Sequence, residues 1–538
     1  MTFRLTANRV VLAVAFYAMV VFNVAYWRTV WQYGQAEGSR DWLLIWTMPL
    51  FMLALLNVLL QLLCWPKLHR VLLPLVLLAG SGVSYAVMVQ GVYFNADMLA
   101  NVFQTDQAEA SAWLTWPFGL WLLGTGVVPA VLYVRFVRLR AAPHWYQALG
   151  WRLASGLASL LVVGCLALTA YGHYAAFFRS HAKIFHQVVP ANLVSAGVKA
   201  AYNVWDANRP FEKIGTDAVR MAEPQRRKQL LVLVVGETTR AQNWGLNPGA
   251  PETTPELKAM SDVINFPNVS SCGTATAVSV PCMFSPMGRE AYNGNRARHQ
   301  ENLLDILQRV GLYTSWRDND GGCKGVCDRV RHINIRDLAA PEQCGDEGCL
   351  DATLLNGLAE EIRTMPGDGV IVLHTMGSHG PAYYQRYPDA FRVFQPTCDT
   401  AQIQNCSPQS LQNTYSNTVR YIDHVLAAAI RMLQAQPAVD SALWYVSDHG
   451  ESLGEDGLYL HGAPYSVAPH TQTLVPMVFW VSSSWYQAQR LSHDCLRAQS
   501  NQSYSHDNWF HSILGLAGVQ TMEYRKELDL FAGCRRVT

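Results

Sequence analysis

Five apolar runs, near residues 9–27, 42–64, 71–93, 117–134 and 153–175, crowd into the first third of this 538-residue chain. About 20 apolar residues are enough for an α-helix to cross the hydrocarbon core of a bilayer, where the backbone must satisfy its own hydrogen bonds. Five such runs point to membrane spans rather than buried helices of a soluble domain. The fourth is the weakest, because Pro129 and several glycines interrupt it. The first is expected to be an anchor and not a cleaved leader, because no small-residue cleavage site follows residues 21–27 and four more runs come after it. Charged residues make up only 15% of the chain and the net charge is +1, which argues against both a disordered protein and a basic nucleic-acid binder.

Positive charge in the short loops sets the orientation. Arg4 and Arg9 precede the first run, Lys67 and Arg70 lie between the second and third, and Arg135, Arg138, Arg140 and Arg152 lie between the fourth and fifth. The alternate loop, 94–116, carries Asp97, Asp106 and Glu109 with no Lys or Arg, and the loop at 28–41 is mixed. The expectation is a cytoplasmic N-terminus and, after an odd number of spans, an external remainder. Residues 1–175 then form a five-helix transmembrane domain, 176–222 a linker of bridging helices, and 223–538 an external domain.

Cysteine placement tests this independently. Cys64 and Cys165 fall within spans, and the other ten cysteines all fall in the external part. An even count outside the cytoplasm reads as disulfides. Proximity pairs Cys272–Cys282, Cys323–Cys327, Cys344–Cys349 and Cys398–Cys406, leaving Cys495–Cys534. A zinc knuckle at Cys323 and Cys327 lacks partner Cys/His pairs at finger spacing.

From residue 229 short β-rich runs alternate with helical patterns. Strands are expected at 230–235, 370–373, 443–446 and 475–481, and helices at 302–310, 352–364 and 411–434. That alternation predicts an α/β domain with a mostly parallel sheet, whose ligands bind beyond the carboxyl ends of the strands. Three of the strands end in reactive residues: Gly-Glu237-Thr-Thr-Arg240, His374-Thr-Met-Gly-Ser-His379-Gly-Pro, and Ser-Asp448-His449-Gly-Glu451, followed by His461-Gly. Glu237, Asp448 and His449 make an oxygen-rich set with one imidazole, suited to a catalytic Zn²⁺ and less well to Mn²⁺. An acid at a strand end is more often a turn or capping residue; acids at two strand ends with an adjacent His are much more specific. The segment Ser270-Ser-Cys272-Gly-Thr274-Ala-Thr276-Ala-Val-Ser279-Val-Pro-Cys282 offers a nucleophile, although such hydroxyls commonly cap helices. Spacing alone does not choose among Thr274, Thr276 and Ser279.

These segments, with Cys-Gly-Thr-Ala-Thr276-Ala-Val-Ser-Val-Pro-Cys-Met-Phe-Ser, Trp-Arg-Asp-Asn and His-Thr-Met-Gly-Ser-His379-Gly-Pro-Ala-Tyr, closely resemble the lipid A phosphoethanolamine transferases, which include the mobile colistin-resistance enzymes. The resemblance runs along essentially the whole chain. It implies five spans in the inner membrane of a Gram-negative bacterium and a periplasmic domain of alkaline-phosphatase/sulfatase-like type. It implies Thr276 as nucleophile, with Glu237, Thr276, Asp448 and His449 around one tightly bound zinc. His379 and His461 would face the phosphate or a second zinc during turnover, and Lys324 would help bind substrate. Asn101, Thr105 and Glu109 would contact phosphoethanolamine, their four-residue spacing placing them on one helix face. His374 would be a supporting group and Glu451 an orienter of a ligand.

The implied reaction has two steps. Thr276 takes phosphoethanolamine from phosphatidylethanolamine, releasing diacylglycerol, and passes it to a phosphate of lipid A. The product would bind polymyxins and other cationic peptides less well. The implied enzyme is a zinc-dependent monomer among inner-membrane lipids, with no nucleic-acid partner. Phosphoethanolamine or phosphoglycerol transfer to another periplasmic glycan, through Kdo or heptose, is the alternative. A sulfatase would need Cys-x-Pro-x-Arg where this chain has Cys282-Met-Phe-Ser-Pro, and a decayed scaffold would have lost the ligands that are all present here.

Overall fold

In a computed structural model the described residues are 3–535, apart from 36–40, 64, 66–67, 91–93, 97, 100–115, 141–143, 208, 221–226 and 346–347. The chain divides into two compact units, Met1–Arg209 and Pro210–Thr538.

The first unit opens with a short strand, β1 (Phe3–Leu5). Among the described residues, four of its helices are long and apolar enough to cross a membrane: α3 (Trp42–Leu63), α4 (His69–Val89), α5 (Trp116–Phe136) and α6 (Trp145–Thr169). A pair, α1 (Ala7–Phe22) and α2 (Val24–Gly34), meets at 68° and makes a fifth when counted as one span. The first apolar run therefore crosses a break that its hydropathy does not reveal. The break falls at fully buried Asn23, after a π turn over Ala18–Phe22. Its side-chain amide donates to the carbonyls of Ala18 and Val189, and its oxygen accepts the Val189 N–H. In apolar surroundings an interrupted helical ladder needs such substitutes. The fourth run, despite Pro129, stays one helix: a π turn over Leu123–Val127 has already shifted the ladder where the proline enters. Beyond α5, β2 (Val137–Leu139) pairs in parallel with β1. The fifth span starts earlier than its most apolar stretch, at Trp145, and ends at Thr169.

The second unit is built on an eight-stranded sheet. Its strands are β3 (Lys228–Gly236), β4 (Ile264–Ser270), β5 (Tyr313–Asp318), β6 (Arg331–Asn334), β7 (Gly369–His374), β8 (Val439–Ser447), β9 (Leu474–Val481) and β10 (Tyr504–Ser505), in spatial order β10-β4-β9-β8-β3-β7-β5-β6. From β8 through β3, β7 and β5 to β6 every pairing is parallel; β9 alone runs against its neighbours. The central strands read as unbroken apolar runs because both faces are covered: Leu230 to Val235 and Val370 to Leu373 are all buried. The four strands expected from sequence are four of the central ones. The helix expected at 352–364 is instead a 3₁₀ turn, Asp351–Leu355, and a helix, Leu358–Thr364, because Gly357 between them adopts φ 70°. All five disulfides pair as proximity suggested, and among the described residues Cys165 is the free cysteine.

Candidate functional site

Parallel register brings the reactive residues together. His374 lies level with Val235, Asp318 level with His374, and Ser447 level with Gly236. The residues that follow, Glu237 after β3 and Asp448 after β8, therefore emerge side by side at one end of the sheet. Thr238 turns the chain with φ 56° and donates its N–H to Asp448 Oδ1 at 3.1 Å. From the long helix α8 (Pro408–Gln434), the Tyr415 hydroxyl donates to the Thr238 carbonyl and accepts from the Arg240 N–H. Gly377, at φ 53°, lets its loop press against the Glu237 backbone, where any Cβ would collide with the Glu237 carbonyl.

Thr276 opens helix α7 (Thr276–Met283), at the end where the helix dipole favours negative charge. Two contacts hold the preceding loop: Ser271 N–H to the Thr473 carbonyl and Cys272 N–H to His506 Nδ1 at 3.0 Å. Of the three candidate hydroxyls, Thr274 donates to the Ala463 carbonyl and Ser279 to the Asp448 carbonyl. Thr276 instead donates to Glu237 Oε2 at 3.0 Å, with His449 Nε2 3.4 Å away.

The remaining atoms fit a metal ion. His449 Nδ1 lies 2.9 Å from the Gly450 carbonyl, which fixes the proton on Nδ1 and leaves the Nε2 lone pair facing Glu237 and Asp448, at 3.6 and 3.4 Å. Asp448 Oδ1 accepts two backbone N–H groups, whereas buried Asp448 Oδ2 has no hydrogen-bond donor. Glu237, His449 and His461 each offer a ligand atom within 4.8 Å of one another. His461 is held 3.3 Å from Glu451 through Nδ1, and its ring centroid lies 4.4 Å from that of His449 and 5.5 Å from that of His379. Burial, then the Asp448 charge, pushes the Glu237 carboxyl up to about 7, and burial pushes Asp448 up to about 7. A divalent cation relieves both effects by favouring the ionised forms.

Asp320 was not singled out in the sequence. With Glu237 and His374 it forms a second group whose ligand atoms lie within 4.8 Å of one another. His374 Nδ1 bonds to Asp318 Oδ1 at 2.8 Å, and its Nε2 lies 3.7 Å from Asp320 Oδ2. Burial alone would lower the His374 pKa; the Asp318 hydrogen bond and the Asp320 charge raise it instead to about 9. Lys324, at φ 53° inside the Cys323–Cys327 bridge, reaches the same Asp320 at 3.4 Å. The signal in sequence was a third acidic position, Asp318-Asn-Asp320, at a strand end hidden by its Trp and Arg. Asn101, Thr105 and Glu109 lie outside the described residues.

Residues 229–519 match the sulfatase family, and residues 52–204 match the family described as phosphoethanolamine transferase EptA/EptB. The chain is 43% identical to phosphoethanolamine transferase EptA of Escherichia coli K12 over 98% of its own length and 97% of the relative's. It is 40% identical to phosphatidylethanolamine transferase Mcr-1 of Escherichia coli, over 76% of this chain and 77% of that one. Among solved structures it resembles the integral membrane protein lipooligosaccharide phosphoethanolamine transferase A of Neisseria meningitidis, with a TM-score of 0.67 and 41% identity over 99% of this chain and 100% of that one.

Proposed function

The chain belongs to the phosphoethanolamine transferases of the EptA and Mcr type, and from that membership we propose that it carries phosphoethanolamine from phosphatidylethanolamine to a phosphate of lipid A through a phosphoethanolamine–threonine intermediate at Thr276. It is a multi-pass inner-membrane protein with a periplasmic sulfatase-like domain. The observation that carries the mechanism is the Thr276 hydroxyl, hydrogen-bonded to Glu237 and flanked by His449 at the head of a helix.

Glu237, Thr276, Asp448 and His449 would hold a zinc ion. When bound, it lowers the pKa of a coordinated hydroxyl and polarises a phosphoryl oxygen. Glu237 Oε2 already accepts the Thr276 proton in a hydrogen bond, so the Oγ1 lone pair is free for attack. In the first step Oγ1 gives its proton to Glu237 and forms a bond to phosphorus while the bond from phosphorus to the diacylglycerol oxygen breaks, and the second step returns that proton to Oγ1. His379 or His461 supplies the proton that the leaving oxygen takes, and Glu451 orients His461. In the second step an oxygen of a lipid A phosphate attacks the same phosphorus and Thr276 Oγ1 leaves. The N-terminus of α7 and Lys324 offset the phosphate charge. Asn101, Thr105 and Glu109 are assigned to the ethanolamine headgroup, and the enzyme works as a monomer. The added ethanolamine cation reduces the negative charge of lipid A, which weakens polymyxin binding.

Mass spectrometry of lipid A from Gram-negative cells tests this reading. A phosphoethanolamine increment with wild type, absent with Thr276→Ala, is the expected result. Unmodified lipid A beside a folded, zinc-loaded wild type would reject the acceptor and direct the search to Kdo and heptose.

A further inference from the structure

The first unit contains a cavity of about 930 Å³ lined by Arg9, Arg70, Arg138, Arg140 and Arg152. No Asp or Glu lines it among the described residues, and the ion pairs described in this unit, His173–Asp41 and Arg209–Asp206, involve none of these arginines. Several features hold this charge together. Arg152 is only 9% exposed; it donates to the Gln61 carbonyl and lies over the Trp65 ring at 5.0 Å. Arg70 reaches the Val134 carbonyl at 3.4 Å. The β1–β2 pair sets Arg4 directly across from Arg138, and the Arg140 N–H extends it by bonding to the Leu5 carbonyl at 2.8 Å. Like charges opposite one another in a ladder are destabilising, so the fold gathers repelling cations with no acidic side chain lining the cavity among the described residues.

The backbone adds to the same sign. α1 and α4 begin at this cavity, at Ala7 and His69, and the first turn of α6 reaches it through Gln147 and Ala148; none of the three has an acidic residue in its first turn. Three helix dipoles therefore direct their positive ends towards it. The cavity also lies level with an aromatic belt: Trp65, Trp145 and Trp151 are 51%, 78% and 73% exposed at this end of the helices. Such rings collect at the depth of lipid headgroups. The positive-inside reading of the loops assigns this end to the cytoplasmic leaflet, where basic pockets between helices take acidic headgroups.

We propose that this arginine-lined cavity binds the headgroup phosphates of an anionic phospholipid. Its volume exceeds that of one phosphate and its five guanidinium groups exceed one phosphodiester charge, so a lipid with two phosphodiesters, of the diphosphatidylglycerol type, is the best match. The site is separate from the transfer chemistry and does not depend on the identity of donor or acceptor.

The test is native mass spectrometry and thermal melting of the full-length protein in micelles. The additions are diphosphatidylglycerol, phosphatidylglycerol, phosphatidylcholine and inorganic phosphate, given to wild type and to an Arg138→Gln/Arg140→Gln variant. The expected result is at least tenfold tighter retention of diphosphatidylglycerol than of phosphatidylcholine, and at least a tenfold loss in the variant at an unchanged lipid-free melting temperature. If the double variant does not fold, Arg9→Gln alone should weaken retention severalfold. Equal retention of both lipids, or full retention in the folded variants, overturns the proposal. Equal protection by inorganic phosphate overturns the lipid source and assigns the cavity to a soluble anion.

Discussion

At the sheet end of the second unit, Glu237 and Asp448 are fully buried, Asp320 lies beside them, and backbone N–H groups and neighbouring side chains fix their positions. In the first unit four of the five cavity arginines are exposed, on long side chains around an open volume. Both regions concentrate charge of one sign. The acids are short, dehydrated and fixed, so a small hard cation suits them. The arginines are spread and adaptable, so a large diffuse anion suits them. Rigidity and spacing, as much as sign, determine the kind of partner a charge cluster takes.

The sharpest way to break this contrast is to remove the Thr276 hydroxyl, which donates to Glu237. Thr276→Ala should lower transfer by about 10³-fold or more while zinc content and melting temperature stay close to wild type. Transfer at the wild-type rate, read by lipid A mass spectrometry, would move the nucleophile elsewhere. Chelating the metal should abolish transfer and lower the melting temperature of the second unit by about 5–10 °C, with recovery on adding zinc. No shift would mean that the carboxylates do not need a cation. Replacing Cys495 and Cys534 by Ser, which opens a 39-residue loop, should cost about 2–4 kcal/mol in denaturant unfolding.

A further test concerns pH. Burial holds the His506 imidazole down at about 3, and it is neutral in the fold, accepting from Cys272 N–H and donating to the Ser447 carbonyl. Its folded pKa lies below its unfolded value of about 6.5. Its contribution is therefore present above about pH 6.5 and is lost as pH falls towards 3, with a slope of at most about 1.4 kcal/mol per pH unit. His506→Gln should flatten part of that acid limb in unfolding measured against pH.

Much of the site was legible because β3, β7 and β8 are continuous apolar runs that end abruptly in acids and imidazoles. Asp320 was not, since β5 carries Trp316 and Arg317 among its buried residues and does not read as a core strand until Glu361 is seen to pair with Arg317. The register that sets Asp318 beside His374 is a property of the assembled sheet. Hydropathy marked the first span but not its break, because Asn23 breaks the helix through a partner at Val189, 166 residues away. Which of the three hydroxyls faces Glu237 was hidden for a similar reason: Thr274 and Ser279 are occupied by carbonyls distant in sequence.

Thr276 lies within the ten-residue interval closed by Cys272 and Cys282. The backbone that presents the hydroxyl is thus cross-linked only where thiols are oxidised. Translation and membrane insertion leave the segment around Thr276 unfastened, and oxidation in the periplasm closes it. The segment is therefore fastened only after it has left the reducing compartment in which it was made.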